Sequence, residues 1–148
     1  MFLRPLAAFV FVLSALAAPV RADSPVWYSG DGVAINGYDT VAYFTAGKPV
    51  PGRTGIEVEW KGALWRFASR RNRERFEANP RAFAPQYGGY CAYAVSRGHV
   101  ASTDPRAWKI VDGKLYLTHS PSVFRAWLRD IAGNLALSDA NWPGVLFK

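Results

Sequence analysis

The chain has 148 residues, with 18 basic and 11 acidic side chains, a formal charge of +7, one cysteine, two histidines and six tryptophans. One thiol excludes an internal disulfide, a structural zinc site built from paired cysteines and a C-x-x-C-H haem attachment. No G-x-S-x-G, P-loop or H-E-x-x-H occurs, so those hydrolase, phosphate-binding and zinc-peptidase signatures are excluded too.

In chain order, Arg4 supplies a positive n-region, Leu6 to Ala18 is an unbroken apolar and small run, and Val20-Arg21-Ala22 reads as a small-x-small cleavage site. This predicts a secretory signal peptide over residues 1–22, cleaved near Ala22, and one mature domain over 23–148. No arginine pair precedes the run and no cysteine stands at the cleavage point, which favours Sec-type export without a lipid anchor. The expected location is periplasmic or secreted, with no membrane span after cleavage. Loss of Arg4 and Arg21 takes the basic count from 18 to 16 against 11 acids, a charge of +5. Outside the cytosol that charge meets anionic headgroups and lipopolysaccharide, and no nucleic-acid partner is expected.

"VAINGYD" predicts a short strand ending at Gly37, and Asp39 an N-cap for a helix over "TVAYFTAG". "GKPVPGRTG" predicts a loop, and "IEVEWKGALWRFAS" a hairpin turning at Lys61-Gly62. Ser69 caps a polar helix, "RRNRERFEAN". Asn79-Pro80, Asp104-Pro105 and Ser120-Pro121 each place a capping side chain before proline, which predicts three helix starts. Cys91 to Arg97 reads as helix with Gly98 beyond its end, so Cys91 and His99 are expected a helix length apart. On that helix Arg97 would not meet Cys91, and Tyr90 and Tyr93 would share a side from which Cys91 points away. "WKIVDGKLYLT" predicts a second hairpin turning at Asp112-Gly113. Phe124, Trp127, Leu128 and Ile131 form a helical apolar stripe. No internal repeat is visible. Two hairpins among several short helices predict a compact single α+β domain with a small antiparallel sheet.

The arginine-rich stretch Arg66, Arg70, Arg71, Arg73, Arg75 and Arg81, broken by Glu74 and Glu77, reads as a solvated helix face, or else an anion- or membrane-facing patch. Glu57 and Glu59 share a strand face, and solvent exposure explains them better than catalysis. His119 lies just before the cap of the following helix. Cys91 is the remaining candidate. In the first turn of a helix its thiol would meet free N–H groups and the positive dipole end, which favour the thiolate. Unpaired cysteine is also among the most buried residue types, so the residues alone leave a reactive thiol and an inert piece of core both open.

"INGYDTVAYFTAGKPVPG", "WKGALWRFASRRNRERFEANPRAFAPQYGGYCAYAVSRG", "DPRAWKIVDGKLYLT" and "DANWP" together resemble the secreted YHS-domain proteins of bacteria. The motif carrying the likeness is Trp60-x-Gly62-x-x-Trp65-x-Phe67 followed by Phe76-x-x-Asn79-Pro80. Short modules of that kind accompany copper- and other metal-transporting ATPases, with paired cysteines that suggest metal binding; here Cys91 stands alone. In some secreted members the matching position is selenocysteine, so the resemblance implies a working chalcogen at Cys91. The expectation is a solvent-reachable Cys91 with a pKa below the free-thiol value of about 8.5. It would bind a soft metal of the copper type, such as Cu(I), or Hg(II), or a small thiol by mixed disulfide, or serve a periplasmic protein partner. The alternatives are a thiol-dependent oxidoreductase with Cys91 as catalytic nucleophile, reducing peroxide or disulfide, and a non-catalytic interaction domain.

Overall fold

The structure, a computed structural model, describes residues 23–148; the signal-peptide reading of 1–22 lies outside the described residues. After a tight turn at Ile35–Gly37, Asp39 caps helix α1 (Thr40–Thr45). Strands β1 (Arg53–Trp60) and β2 (Ala63–Phe67) form the first hairpin, β1 starting inside the predicted loop. Ser69 caps helix α2 (Arg70–Ala78), and Asn79 caps the short α3 (Pro80–Phe83) with Pro80 in its first turn. A second tight turn, Gln86–Gly89, leads to α4 (Ala92–Ser96), capped by Cys91. Strands β3 (Asp104–Val111) and β4 (Lys114–Thr118) form the second hairpin, and Ser120 caps α5 (Pro121–Leu128). Helix α6 (Ile131–Asn141) follows. Among the described residues the architecture is a compact α+β arrangement of six α-helices and two antiparallel hairpins, each hairpin its own two-stranded sheet.

The two halves are the same unit built twice, a repeat that survives in the sequence only at a few turn and cap residues. Both hairpins turn on two left-handed residues, Lys61-Gly62 (φ 49° and 78°) and Asp112-Gly113 (φ 50° and 73°), the signature of a type I′ turn. Both are regular for four pairs from the turn, then break register, between Arg53 and Glu57 in one and between Asp104 and Trp108 in the other. Each is followed by a serine whose hydroxyl accepts from the third residue on, Asn72 N–H or Val123 N–H. Upstream, the left-handed triplets Ile35-Asn36-Gly37 and Tyr87-Gly88-Gly89 each precede a capped short helix. The cap residues hold the same cross-chain bond, Asp39 N–H to Val50 O at 2.8 Å and Cys91 N–H to Ala101 O at 3.0 Å.

Burial follows the repeat. Trp65, Phe67 and Phe76 anchor one apolar cluster with Val41 and Ala63. Tyr116 and Trp127 take the places of Trp65 and Phe76 in the other, with Val95, Ala92, Tyr87 and Tyr90. Ile35, Tyr43, Leu115 and Leu117 form the seam where the first unit meets the strand β4.

The predicted strand ending at Gly37 is instead a left-handed turn at Ile35–Gly37, with only isolated bridges at Val33 and Ala34 before it. Two further sequence expectations fail for local reasons. Asp104-Pro105 opens a strand, not a helix: Pro105 falls in the irregular stretch between the paired residues Asp104 and Trp108, where its missing N–H costs no ladder bond. The Asp104 carboxylate instead accepts from the backbone N–H of Arg106 and pairs with its guanidinium, both at 2.9 Å. The stripe from Phe124 to Ile131 is broken because Asp130 caps a new helix through Gly133 N–H; Trp127 is buried, whereas Leu128 is 39% exposed. At Gly113 a side chain would meet no neighbour, so the positive φ alone penalises substitution. Gly113→Val is expected to cost about 1–3 kcal/mol, read as a lower urea midpoint at unchanged m-value.

Candidate functional site

Cys91 is the N-cap of α4, one position earlier than a first-turn residue, and its sulfur accepts from Ala94 N–H at 3.5 Å. A second donor arrives from the other end of the unit, His119 N–H at 3.2 Å. The side chain is 1% exposed, which corrects the expectation of a solvent-reachable thiol. Burial pushes the Cys91 pKa up; the N–H groups of Ala94, His119 and Tyr93 pull it down by less. The expected depression is therefore overturned, because a five-residue helix cannot offset the loss of solvent around the sulfur.

Cys91 borders a cavity of about 200 Å³ that is lined also by Tyr93, Arg97, His99, His119 and Val123. Arg97, at the end of α4, and His99 line the cavity beside Cys91 without a hydrogen bond to it, His99 because the chain reverses after Gly98. His99 N–H returns to Ala94 O, and Ala101 O receives the N–H of Cys91 itself. Tyr93 also lines the cavity, since α4 begins after Cys91 and Tyr90 precedes the helix. Arg97 lies over the Tyr93 ring at 4.7 Å and donates to its hydroxyl at 3.2 Å. His119 Nδ1 is 3.0 Å from Ser102 O and 3.1 Å from its hydroxyl, which fixes the ring by one nitrogen. Among the described residues, no three His, Cys, Asp or Glu side chains converge as a metal-ligand cluster.

The first unit shows what this position does when it is purely structural. Asp39 occupies the place of Cys91: one carboxylate oxygen caps α1 through Val41 and Ala42 N–H at 2.9 and 3.2 Å. The other accepts from Ala68 N–H and from the Asn72 side-chain amide, both at 2.8 Å. Ala68 is the counterpart of His119 and Asn72 of Val123, so the polar plug that closes the first site is a branched apolar residue in the second. His99 likewise stands where Gly47 does, each returning its N–H to the α-helix residue that donates to the cap. The second site thus carries a thiol, both histidines of the chain and a cavity where the first carries a satisfied carboxylate.

The arginine-rich face is partly neutralised, by Arg73 with Glu77 at 3.9 Å and Arg66 with Glu57 at 3.5 Å, and takes no part in this site. Among the described residues no helix is long and apolar enough to cross a membrane. No protein-family model, curated protein or solved structure matches the chain.

Proposed function

We propose that this chain is an exported YHS-type domain that captures one soft metal ion of the Cu(I) type at Cys91. The observation that carries the reading is the contrast between the two caps. Where Asp39 is closed by four N–H donors, Cys91 faces a cavity bordered by His99 and His119. Thiolate and imidazole are the donors a soft ion takes, and such ions accept low coordination numbers, so a thiol with one imidazole suffices. The neutral thiol that burial favours is a poor nucleophile, which weighs against the oxidoreductase alternative. Metal binding displaces the proton directly, and the N–H groups of Ala94 and His119 remain to hold the sulfur's charge.

Anaerobic titration with Cu(I) against a competing chelator, read by thiolate-to-metal charge-transfer absorbance, is expected to end at one equivalent. Because the thiol proton must leave, apparent affinity should rise about tenfold per pH unit, past the free-thiol value of about 8.5. Cys91→Ser should abolish uptake while keeping a cooperative thermal transition. Equal uptake by Cys91→Ser, or none by the wild type, would remove the metal function. Iodoacetamide should label the native thiol only at alkaline pH or in denaturant.

A further inference from the structure

We propose that a second cavity, sharing no lining residue with the cysteine cavity, binds a small aromatic carboxylate. It measures about 340 Å³ and lies between the N-terminal segment, the first hairpin turn and the Gln86–Gly89 turn. That volume is at the small end of ligand pockets, enough for one or two fused rings.

Its walls are aromatic: Trp27, Trp60 and Trp142 line it together with Tyr87. Trp27 and Trp60 hold each other at 5.3 Å between ring centres, and the Tyr87 ring is fixed by its hydroxyl donating to Asp139 at 2.7 Å. The N-terminal wall is held in place as well. Tyr28 N–H bonds Gly88 O at 2.7 Å, Tyr90 donates to Pro25 O at 2.6 Å, and a Cβ at Gly88 would fall 1.9 Å from Val26 O. Flat walls that do not move before binding select a rigid, flat ligand.

The charge selects its polar end. Lys61 and Arg81 line the cavity, no acidic residue does, and neither cation enters an ion pair among the described residues. Lys61 instead stands with its ammonium 5.0 Å from the centre of the Trp60 ring. An anion carried on a ring complements both features.

Turn chemistry points to the same place. Lys61 and Tyr87 line the cavity at positive φ, as their counterparts Asp112 and Ile35 are in the other unit, so the conformation belongs to the repeat and only the choice of side chain is particular to this site. The matching turn position in the second hairpin carries Asp112, a side chain the type I′ turn accepts readily. Lysine is a poor choice for that turn, and its ammonium at the cavity is what the choice provides.

Calorimetric titration of the purified chain with 2-naphthoate, its neutral analogue 2-naphthamide, and acetate tests this. Naphthoate is expected to bind about tenfold more tightly than naphthamide, and acetate not measurably. Lys61→Asn should raise Tm, by giving the turn its preferred residue, yet weaken naphthoate about fivefold and leave naphthamide unchanged. Arg81→Gln should weaken naphthoate similarly. A purely structural Lys61 would give the higher Tm without the loss of affinity, and that result overturns the proposal. So does equal binding of naphthoate and naphthamide, or no binding of either. Cys91→Ser should leave naphthoate affinity intact, so this result stands or falls apart from metal capture.

Discussion

Replacing Asp39 with alanine is expected to lower the unfolding free energy by about 3 kcal/mol or more, among the largest effects of any single polar substitution in the chain. The side chain is fully buried and receives four N–H bonds, two from the start of α1 and two from the chain entering α2. A lost cap alone would cost about 1 kcal/mol. The larger figure comes from Ala68 N–H and the Asn72 amide, which would lose their acceptor in a partly buried place. Asp39→Asn separates the two contributions. Asparagine caps a helix as well as aspartate does, so capping alone predicts no loss. Its amide group, however, would turn donors toward donors at Ala68 or at α1, and the loss should approach that of alanine. A urea midpoint for Asp39→Asn equal to the wild type's would show that the bridge between α1 and α2 contributes little.

Asp39 also marks where sequence reasoning stops. Its capping role is legible from an aspartate before a helical run, as are the caps Ser69, Asn79 and Ser120 and both type I′ turns, because each is a local match of side chain to backbone. Its second pair of bonds is not legible, because Ala68 and Asn72 arrive only when the hairpin folds back. Cys91 hides its surroundings in the same way. His99 and His119 reach its cavity through a chain reversal and a strand end, neither of which has a spacing to read. One signal was available: "GYDTVA" and "GYCAYA" share Gly-Tyr, a cap residue and an alanine three positions after it. With Lys61-Gly62 set against Asp112-Gly113 and Ser69 against Ser120, the repeat rests on a few turn and cap residues, while the aromatic core positions differ in type. Burial accepts tryptophan, tyrosine or phenylalanine at equivalent places, so the repeat survives in backbone bonds after it has faded from side chains.

Stability is expected to be flat from neutral pH to about 8 and to collapse above about pH 10, where the free tyrosine and cysteine ranges have been passed. Five groups set the direction. Burial raises the pKa of Tyr43 far above the ordinary phenol range, with the charges of Tyr38 and Asp104 adding to it. Burial, then the bond to Asp139, raises Tyr87 likewise. Burial leads also for Tyr90, Tyr116 and Cys91. In each case the folded pKa lies above the unfolded one, so the unfolded chain releases its proton first and stability falls as pH rises through that interval. Cys91 acts first, from about 8.5, and the tyrosines follow from about 10. The limiting slope is about 1.4 kcal/mol per pH unit for each group still protonated in the folded state. Tyr43 and Tyr87, which burial raises furthest, are the two that should approach it. Urea midpoints across the alkaline range, read beside phenolate absorbance, test the sign and the slope together. Tyrosinate from Tyr43, Tyr87, Tyr90 and Tyr116 should appear with unfolding, not before it, with single Tyr→Phe variants assigning the absorbance. Tyr87→Phe should flatten the decline by one group, since it removes a titrating hydroxyl and leaves Asp139 exposed to water. Phenolates forming near the free value in a chain that stays folded would refute the tight burial of these rings.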